Sequence, residues 1–176
     1  MLYKKKPNQN LGERGVAIAE TVFDSSKGLL DGILEFADQK QVKKDDYYVS
    51  VYLLCLALLY LIVDRQVFST FSEMDRAVMM SNVDERTNQL LTQELGLKSE
   101  KQIQGITGTL NENIMSLGPY DLLPGNMRYG TNTVFWELGR RLVEEYNFDF
   151  QVVPFLAITS VDIMTTVLQQ TGLLKK

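Results

Sequence analysis

Residue types that commonly perform chemistry in enzymes are scarce in this chain. It contains no histidine and a single cysteine, Cys55, within the apolar segment "YYVSVYLLCLALLYLIV" at residues 47–63. Without histidine, the Ser-His-Asp triad, the Cys-His dyad and imidazole acid–base chemistry are excluded. A lone cysteine forms no intrachain disulfide, and a thiol in apolar surroundings is usually unreactive because its thiolate is disfavoured. The sequence therefore favours a non-catalytic protein, without excluding an enzyme of another type.

Carboxylates remain as candidates for catalysis or for binding a metal ion. Mg²⁺ prefers oxygen ligands, and four carboxylates lie close together in the sequence: Glu73, Asp75, Asp84 and Glu85. However, Glu73 and Asp75 are not separated by the three or four residues that would place both on one face of a helix. The cluster is more typical of a charged turn, so the sequence predicts neither a metal site nor a cofactor. A magnesium-dependent, carboxylate-based hydrolase is retained as an alternative function.

A loop at residues 118–131, "GPYDLLPGNMRYGT", is the segment best suited to binding a small anion. Arginines and neutral donors bind carboxylates and phosphates through hydrogen bonds to their oxygens. Five residues could contribute such donors: Asn126, Arg128 and Tyr129 from the loop, and Arg140 and Arg141 from the helix predicted after it. The alternative is a connection whose apolar side chains simply pack on the protein, since the glycine spacing does not match a phosphate-binding loop with its lysine.

Asp162 is the only charged residue between Phe150 and Leu174. If it were buried, its pKa would rise, and it could anchor a polar group of a ligand. On a helix, however, Asp162 shares a face with Thr159 and Thr166, which also fits an ordinary polar strip. We therefore treat Asp162 as a candidate binding residue with a structural alternative.

Gly28 and Gly32 are four residues apart within a predicted helix. Each glycine in a helix interior costs up to about 1 kcal/mol relative to alanine, and close approach of a second helix would offset this cost. That approach is either within the fold or across a symmetric dimer, because the packing rules are the same for both. This edge of the helix is the predicted interface if the protein self-associates.

Hydrophobic periodicity predicts helices along most of the chain. Residues 16–38 place apolar side chains on one half of a helical wheel, with acidic residues on the other half: Glu20, Asp24, Asp31, Glu35 and Asp38. Further helices are predicted over residues 65–80, from Asn82 or Asp84 to Gly96, from Ser99 to Leu117, from Thr131 or Asn132 through "VFWELGRRLVEEY", and from about Pro154 to 170. Ser99 and Gln102 fit a capping box at the start of one of them. No alternating strand pattern is present.

The apolar segment 47–63 is predicted to be the buried centre of the protein. Seventeen helical residues span about 25 Å, which is short for a hydrocarbon core of about 30 Å, and charged residues limit the segment at both ends. The one-sided helices also need a common hydrophobic partner. The sequence therefore predicts an all-α, single-domain bundle of about six or seven helices around this central helix. The domain is expected at residues 13–174, after a flexible basic tail at 1–12, with no membrane span.

Composition and charge favour a protein that works by binding. The net charge of −4 and the pI near 4.9 disfavour nucleic acid as a partner, and the N-terminus lacks the apolar region of a secretory signal, so a cytoplasmic location is expected. The predicted function is a non-catalytic protein-interaction module (an adaptor, regulator or assembly component) that forms a homodimer or binds another protein. The second alternative is a helical protein that binds a small apolar ligand, with these candidate pocket residues: Tyr52, Tyr60, Met74, Met79, Met80 and Trp136.

Overall fold

The computed structural model describes residues 11–37, 45–122 and 132–174 of the 176-residue chain. These residues form six helices: α1 (Leu11–Leu34), α2 (Asp45–Thr70), α3 (Glu73–Glu94), α4 (Glu100–Leu117), α5 (Val134–Tyr146) and α6 (Val152–Gln170). No strand occurs in the described ranges, where one isolated bridge joins Asp121 to Thr133. The all-α bundle predicted from the sequence is therefore confirmed.

Helix α2 occupies the centre of the bundle, as predicted. Every residue from 51 to 59 is buried, and the other five helices all contact α2. A helix that is apolar on every side must be covered on every side, which explains this position. The helix is longer than predicted and continues to Thr70. In its C-terminal part, Asp64 forms an ion pair with Arg76 of α3.

The remaining helices surround α2 in the order α3, α1, α6, α5, α4. Packing is most extensive between α1 and α3, followed by α5 and α6, and glycines permit both close approaches. A Cβ atom at Gly15 would lie 2.5 Å from the Met79 carbonyl oxygen, and one at Gly139 would lie 3.0 Å from Cα of Val153. In contrast, α1 and α6 touch over a much smaller area, so a groove is left between them.

The predicted helix over residues 65–80 is wrong. The chain ends one helix at Thr70 and starts the next at Glu73, with Ser72 as its N-cap, whose side chain accepts a hydrogen bond from the Asp75 backbone N–H. The apolar spacing that suggested one continuous helix includes Phe68, which is 66% exposed. A serine that satisfies the free N–H groups of a new helix stabilises the break at this position.

The predicted short helix beginning at Asn82 or Asp84 is also wrong, since both residues lie in the middle of α3. Its predicted end is correct: Gly96 follows α3 with φ of 59°, a conformation that glycine adopts readily. At the start of α5 the N-cap is Thr133 rather than Thr131 or Asn132 as predicted. The Thr133 side chain accepts a hydrogen bond from the Trp136 backbone N–H.

Candidate binding groove

The two arginines of the predicted anion site are held by a buried glutamate. Arg140 and Arg141 both donate to Glu137, at 2.7 Å (Nη2 to Oε1) and 2.9 Å (Nε to Oε1) respectively, and Arg141 also donates to the Ser116 hydroxyl at 2.8 Å. Glu137 is only 3% exposed. The hydrogen bond from Arg140 contributes most to lowering the pKa of this carboxyl, although burial opposes it. Arg140 also pairs with Glu144, so two carboxylates of α5 already compensate the two guanidinium charges.

The loop residues of that site lie outside the described residues. Asn126, Arg128 and Tyr129 fall within 123–131, so the anion site as a whole stays a prediction.

The carboxylates considered for magnesium lie at two separate places on α3. Glu73 and Asp84 are eleven residues apart, which corresponds to about 16 Å along a helix. Asp84 accepts a hydrogen bond from the Tyr60 hydroxyl, and burial raises the pKa of its carboxyl. In the ranges that the structure describes, no group of three or more Cys, Asp or Glu side chains is placed to hold a metal ion.

The residues predicted to line an apolar pocket do not share one cavity. Tyr52 and Met79 are buried in the core, whereas Met74 is 77% exposed near the start of α3. Cys55 is also completely buried, and burial raises the pKa of its thiol.

An apolar groove with a volume of about 410 Å³ lies instead between α1 and α6. Leu59 of the central helix forms its floor. Its walls are formed by Ser25, Gly28, Leu29 and Gly32 from α1, and by Phe155, Thr159, Asp162, Ile163, Thr166, Val167 and Gln170 from α6. The groove thus brings together three residues that the sequence marked separately, the two glycines and Asp162.

The two glycines leave open space in the α1 wall of the groove. Among the described residues, and apart from the nearby backbone of α1 itself, no atom lies within 4 Å of the position that a Cβ atom of Gly28 would occupy, and the only such atom at Gly32 is Cζ of Phe155, at 3.7 Å. The expected alternative, in which this pair serves a close helix contact within the fold, is therefore not realised at Gly28. The space that a side chain would fill is left unoccupied.

Contacts between α1 and α6 close the groove at both ends. The rings of Phe36, which follows α1, and Phe155 are 5.0 Å apart at one end. At the other end, the Ser25 hydroxyl donates to Oε1 of Gln170 at 3.1 Å. The residues of α6 that line the groove run from Phe155 to Gln170, which corresponds to about 22 Å along this helix.

Exposed carboxylates lie in the α6 wall of the groove and beside its α1 wall. Asp162 is exposed on α6, and Asp24, Asp31 and Glu35 are exposed on α1 at helical spacings from Gly28. None of these four carboxylates forms an ion pair with another described residue. The remaining predicted acidic residues of the first helix are Glu20, which pairs with Arg86, and Asp38, which lies outside the described residues.

The cations of the two helices are engaged elsewhere. Lys27 pairs with Glu94 of α3 at 2.9 Å, and Arg14 donates to the Gly172 carbonyl at 3.1 Å. Helix α6 contains no lysine or arginine. Four carboxylates therefore form an acidic rim around the apolar groove: Asp24, Asp31, Glu35 and Asp162.

Apolar surface continues from the groove onto the outer face of α6. Ile158 is 79% exposed and Val161 is 55% exposed. By length and composition alone, two described helices could cross a membrane, at Tyr47–Thr70 and Val152–Gln170. Within an 18-residue apolar window of each helix, the bundle buries 67% of the residues in the first but only 33% in the second. Helix α6 thus has an apolar face that no other described part of the chain covers.

No protein-family model, curated protein or solved structure matches the chain.

The groove was not anticipated from the sequence, although each wall contained a signal. On α1, Gly28 and Gly32 lack side chains and lie beside an acidic stripe. On α6, Asp162 is the single charged residue of an otherwise uncharged helix.

Proposed function

We propose that the protein is a non-catalytic protein-interaction module and that its docking surface is the groove between α1 and α6 with the adjoining outer face of α6. One observation carries this proposal: an apolar groove, open at Gly28, continues into exposed apolar side chains such as Ile158. Burying apolar surface is favourable by about 25 cal/mol per Å². A partner helix laid over this surface would gain that free energy by the helix-in-groove mode of recognition.

The extent of the surface supports a protein partner over a small molecule. Small-molecule sites usually enclose most of their ligand. Here Gly28 is exposed, and the apolar surface extends past the groove to Ile158 and Val161, which a ligand inside the groove would leave uncovered.

A small apolar ligand is the second candidate function. The volume of about 410 Å³ falls in the range of about 300–1,000 Å³ that is common for ligand sites. Native mass spectrometry of freshly purified protein tests this candidate. A retained molecule that is lost in a Gly28→Leu variant would favour the ligand.

Photo-crosslinking in cells tests the protein-interaction proposal. A photoreactive amino acid at Ile158, one turn before Asp162, should form a discrete adduct with a partner protein. Met115 on α4 is a matched control because it is 77% exposed against 79% for Ile158. A Gly28→Leu substitution should suppress the Ile158 adduct, whereas Gly105→Leu on α4, where a Cβ atom also meets nothing, should not.

Three outcomes of this experiment are informative. A Gly28-dependent adduct at Ile158 alone would support the proposed surface. Equal labelling at Ile158 and Met115, or no adduct at either, would contradict it. An adduct with twice the mass of the chain would identify the partner as a second copy, and light scattering after size-exclusion chromatography would then measure the predicted homodimer directly.

A further inference from the structure

We infer that the partner presents a basic amphipathic helix, with apolar side chains directed into the groove and lysine or arginine side chains against its acidic rim. This inference rests on the proposed function and adds the chemistry of the occupant. It follows from the charge of the walls, the shape of the groove and the comparison with a second copy of the chain.

The charges on the walls select a cationic partner. Asp162 lines the wall formed by α6. Asp24, Asp31 and Glu35 are exposed on α1 at helical spacings from the lining residue Gly28, and no described lysine or arginine pairs with any of the four carboxylates. Placing an acidic or neutral partner between these walls would remove water from the carboxylates without a compensating charge. Cationic side chains on the partner would instead pair with them, and complementary potential also accelerates association.

A second copy does not provide this complementarity at the groove. A symmetric dimer joins the same patch on both subunits. Here that patch carries Asp162 and the acidic stripe of α1, so like charges would face one another. The described part of each groove helix also has no spare cation, because Arg14 and Lys27 already have partners.

The shape of the groove suits a helix with long cationic side chains. Its length of about 22 Å corresponds to about four turns of a partner helix, which would direct side chains at positions i, i+3, i+4 and i+7 toward Leu59 and Ile163. Lysine and arginine place apolar stems along an apolar surface while their charged ends remain at its edge. Such residues would therefore cover the walls above the floor and still reach the carboxylates.

Synthetic peptides test the inference with the full-length protein. Three fluorescein-labelled peptides of about 18 residues, long enough to span the groove as a helix, differ in one property each. The first has leucine on one face and lysine on the other, the second replaces lysine with glutamate, and the third keeps lysine but replaces leucine with serine. Fluorescence anisotropy should show that the leucine–lysine peptide binds more than about tenfold more tightly than either control, and more weakly as salt rises.

Matched variants assign the binding to the groove. Gly28→Leu should weaken binding of the leucine–lysine peptide by more than about tenfold because its side chain would fill the open space at the α1 wall, while Gly105→Leu should leave the affinity unchanged. Asp162→Lys should weaken binding by about three- to tenfold, and Glu112→Lys, at an exposed carboxylate on α4, by less than about twofold. Circular dichroism confirms folding, and Thr166→Trp, at an exposed position in the groove, replaces Gly28→Leu if that variant does not fold.

The outcomes separate this inference from the proposed function. Equal binding of the lysine and glutamate peptides, with both lost in Gly28→Leu, would overturn the cationic partner but preserve the groove as a docking surface. Binding that is absent, or insensitive to both groove-filling variants, would overturn both. A homodimer that Gly28→Leu converts to a monomer would identify a second copy as the occupant and also overturn the inference.

Discussion

Alanine should have opposite effects on stability at two glycines of the same helix, Gly15 and Gly28. Both glycines lie in the interior of α1, where replacement by alanine improves helix propensity by about 1 kcal/mol. Their surroundings differ. A Cβ atom at Gly28 meets nothing within 4 Å, whereas one at Gly15 would lie 2.5 Å from the Met79 carbonyl oxygen and 2.8 Å from Cβ of Asn82.

The distances set the expected magnitudes. At Gly28 the propensity gain stands alone, so Gly28→Ala should stabilise the protein by about 0.5–1 kcal/mol. At Gly15 the new methyl group meets backbone, which cannot rotate away, and α1 would have to move from α3 along their most extensive contact. Overpacking of this kind costs about 1–3 kcal/mol and occasionally more. Since two atoms of α3 are too close, we expect about 3 kcal/mol, which leaves a net destabilisation of about 2 kcal/mol after the propensity gain.

Urea unfolding followed by circular dichroism measures both variants. The free energies of unfolding of the two variants should differ by about 3 kcal/mol, with similar m-values. Their melting temperatures should move in opposite directions by several degrees. Gly105→Ala, at another helical glycine with free space, is the control and should match Gly28→Ala. If Gly15→Ala were as stable as Gly28→Ala, the close approach of α1 and α3 would be refuted. If Gly28→Ala were destabilising, the open space beside Gly28 in the α1 wall would be refuted.

Three further substitutions examine the core, the ion network and a helix cap. Leu56 is completely buried in α2, so Leu56→Ala should cost about 2–5 kcal/mol in urea unfolding, and a cost below about 0.5 kcal/mol would argue against its central position. Glu137→Gln should cost about 1.5–3 kcal/mol at neutral pH, because the carboxylate accepts charged hydrogen bonds from Arg140 and Arg141. The folded state lowers the pKa of the Glu137 carboxyl, so its contribution to the free energy of unfolding is present above the unfolded-state pKa and is lost as pH falls through the lower folded-state pKa. If Glu137→Gln remained equally destabilised at strongly acidic pH, this role of the carboxylate would be contradicted. Ser99→Ala should cost about 1 kcal/mol by removing the capping hydrogen bond of α4, and an unchanged melting temperature would show that the cap contributes little.

The helices and the central position of α2 could be predicted because they depend on local pattern. Apolar side chains at helical spacing predicted α1, and apolar side chains on every face predicted that α2 is buried. The break near Ser72 was missed because apolar residues continue across it with helical spacing. Phe68 belongs to that pattern but is exposed, which the spacing alone does not reveal.

The candidate site was only partly predictable. Gly28, Gly32 and Asp162 were recognised as unusual, but on two helices more than a hundred residues apart in the sequence. Nothing in either segment indicated that they face the same space. For Arg140 and Arg141, the sequence suggested ligand binding, whereas the adjacent Glu137 holds both.

The sequence by itself determined most of the helices, the buried central segment and the exclusion of histidine chemistry, because propensity, periodicity and composition are properties of the chain. Tertiary structure decided which helices pack closely and which remain apart. The distance between two neighbouring helices depends on side chains from both of them and from the central helix beneath them. At Gly15 a missing side chain lets α3 approach, whereas at Gly28 no described residue of α6 comes within 4 Å and the space of the missing side chain stays open.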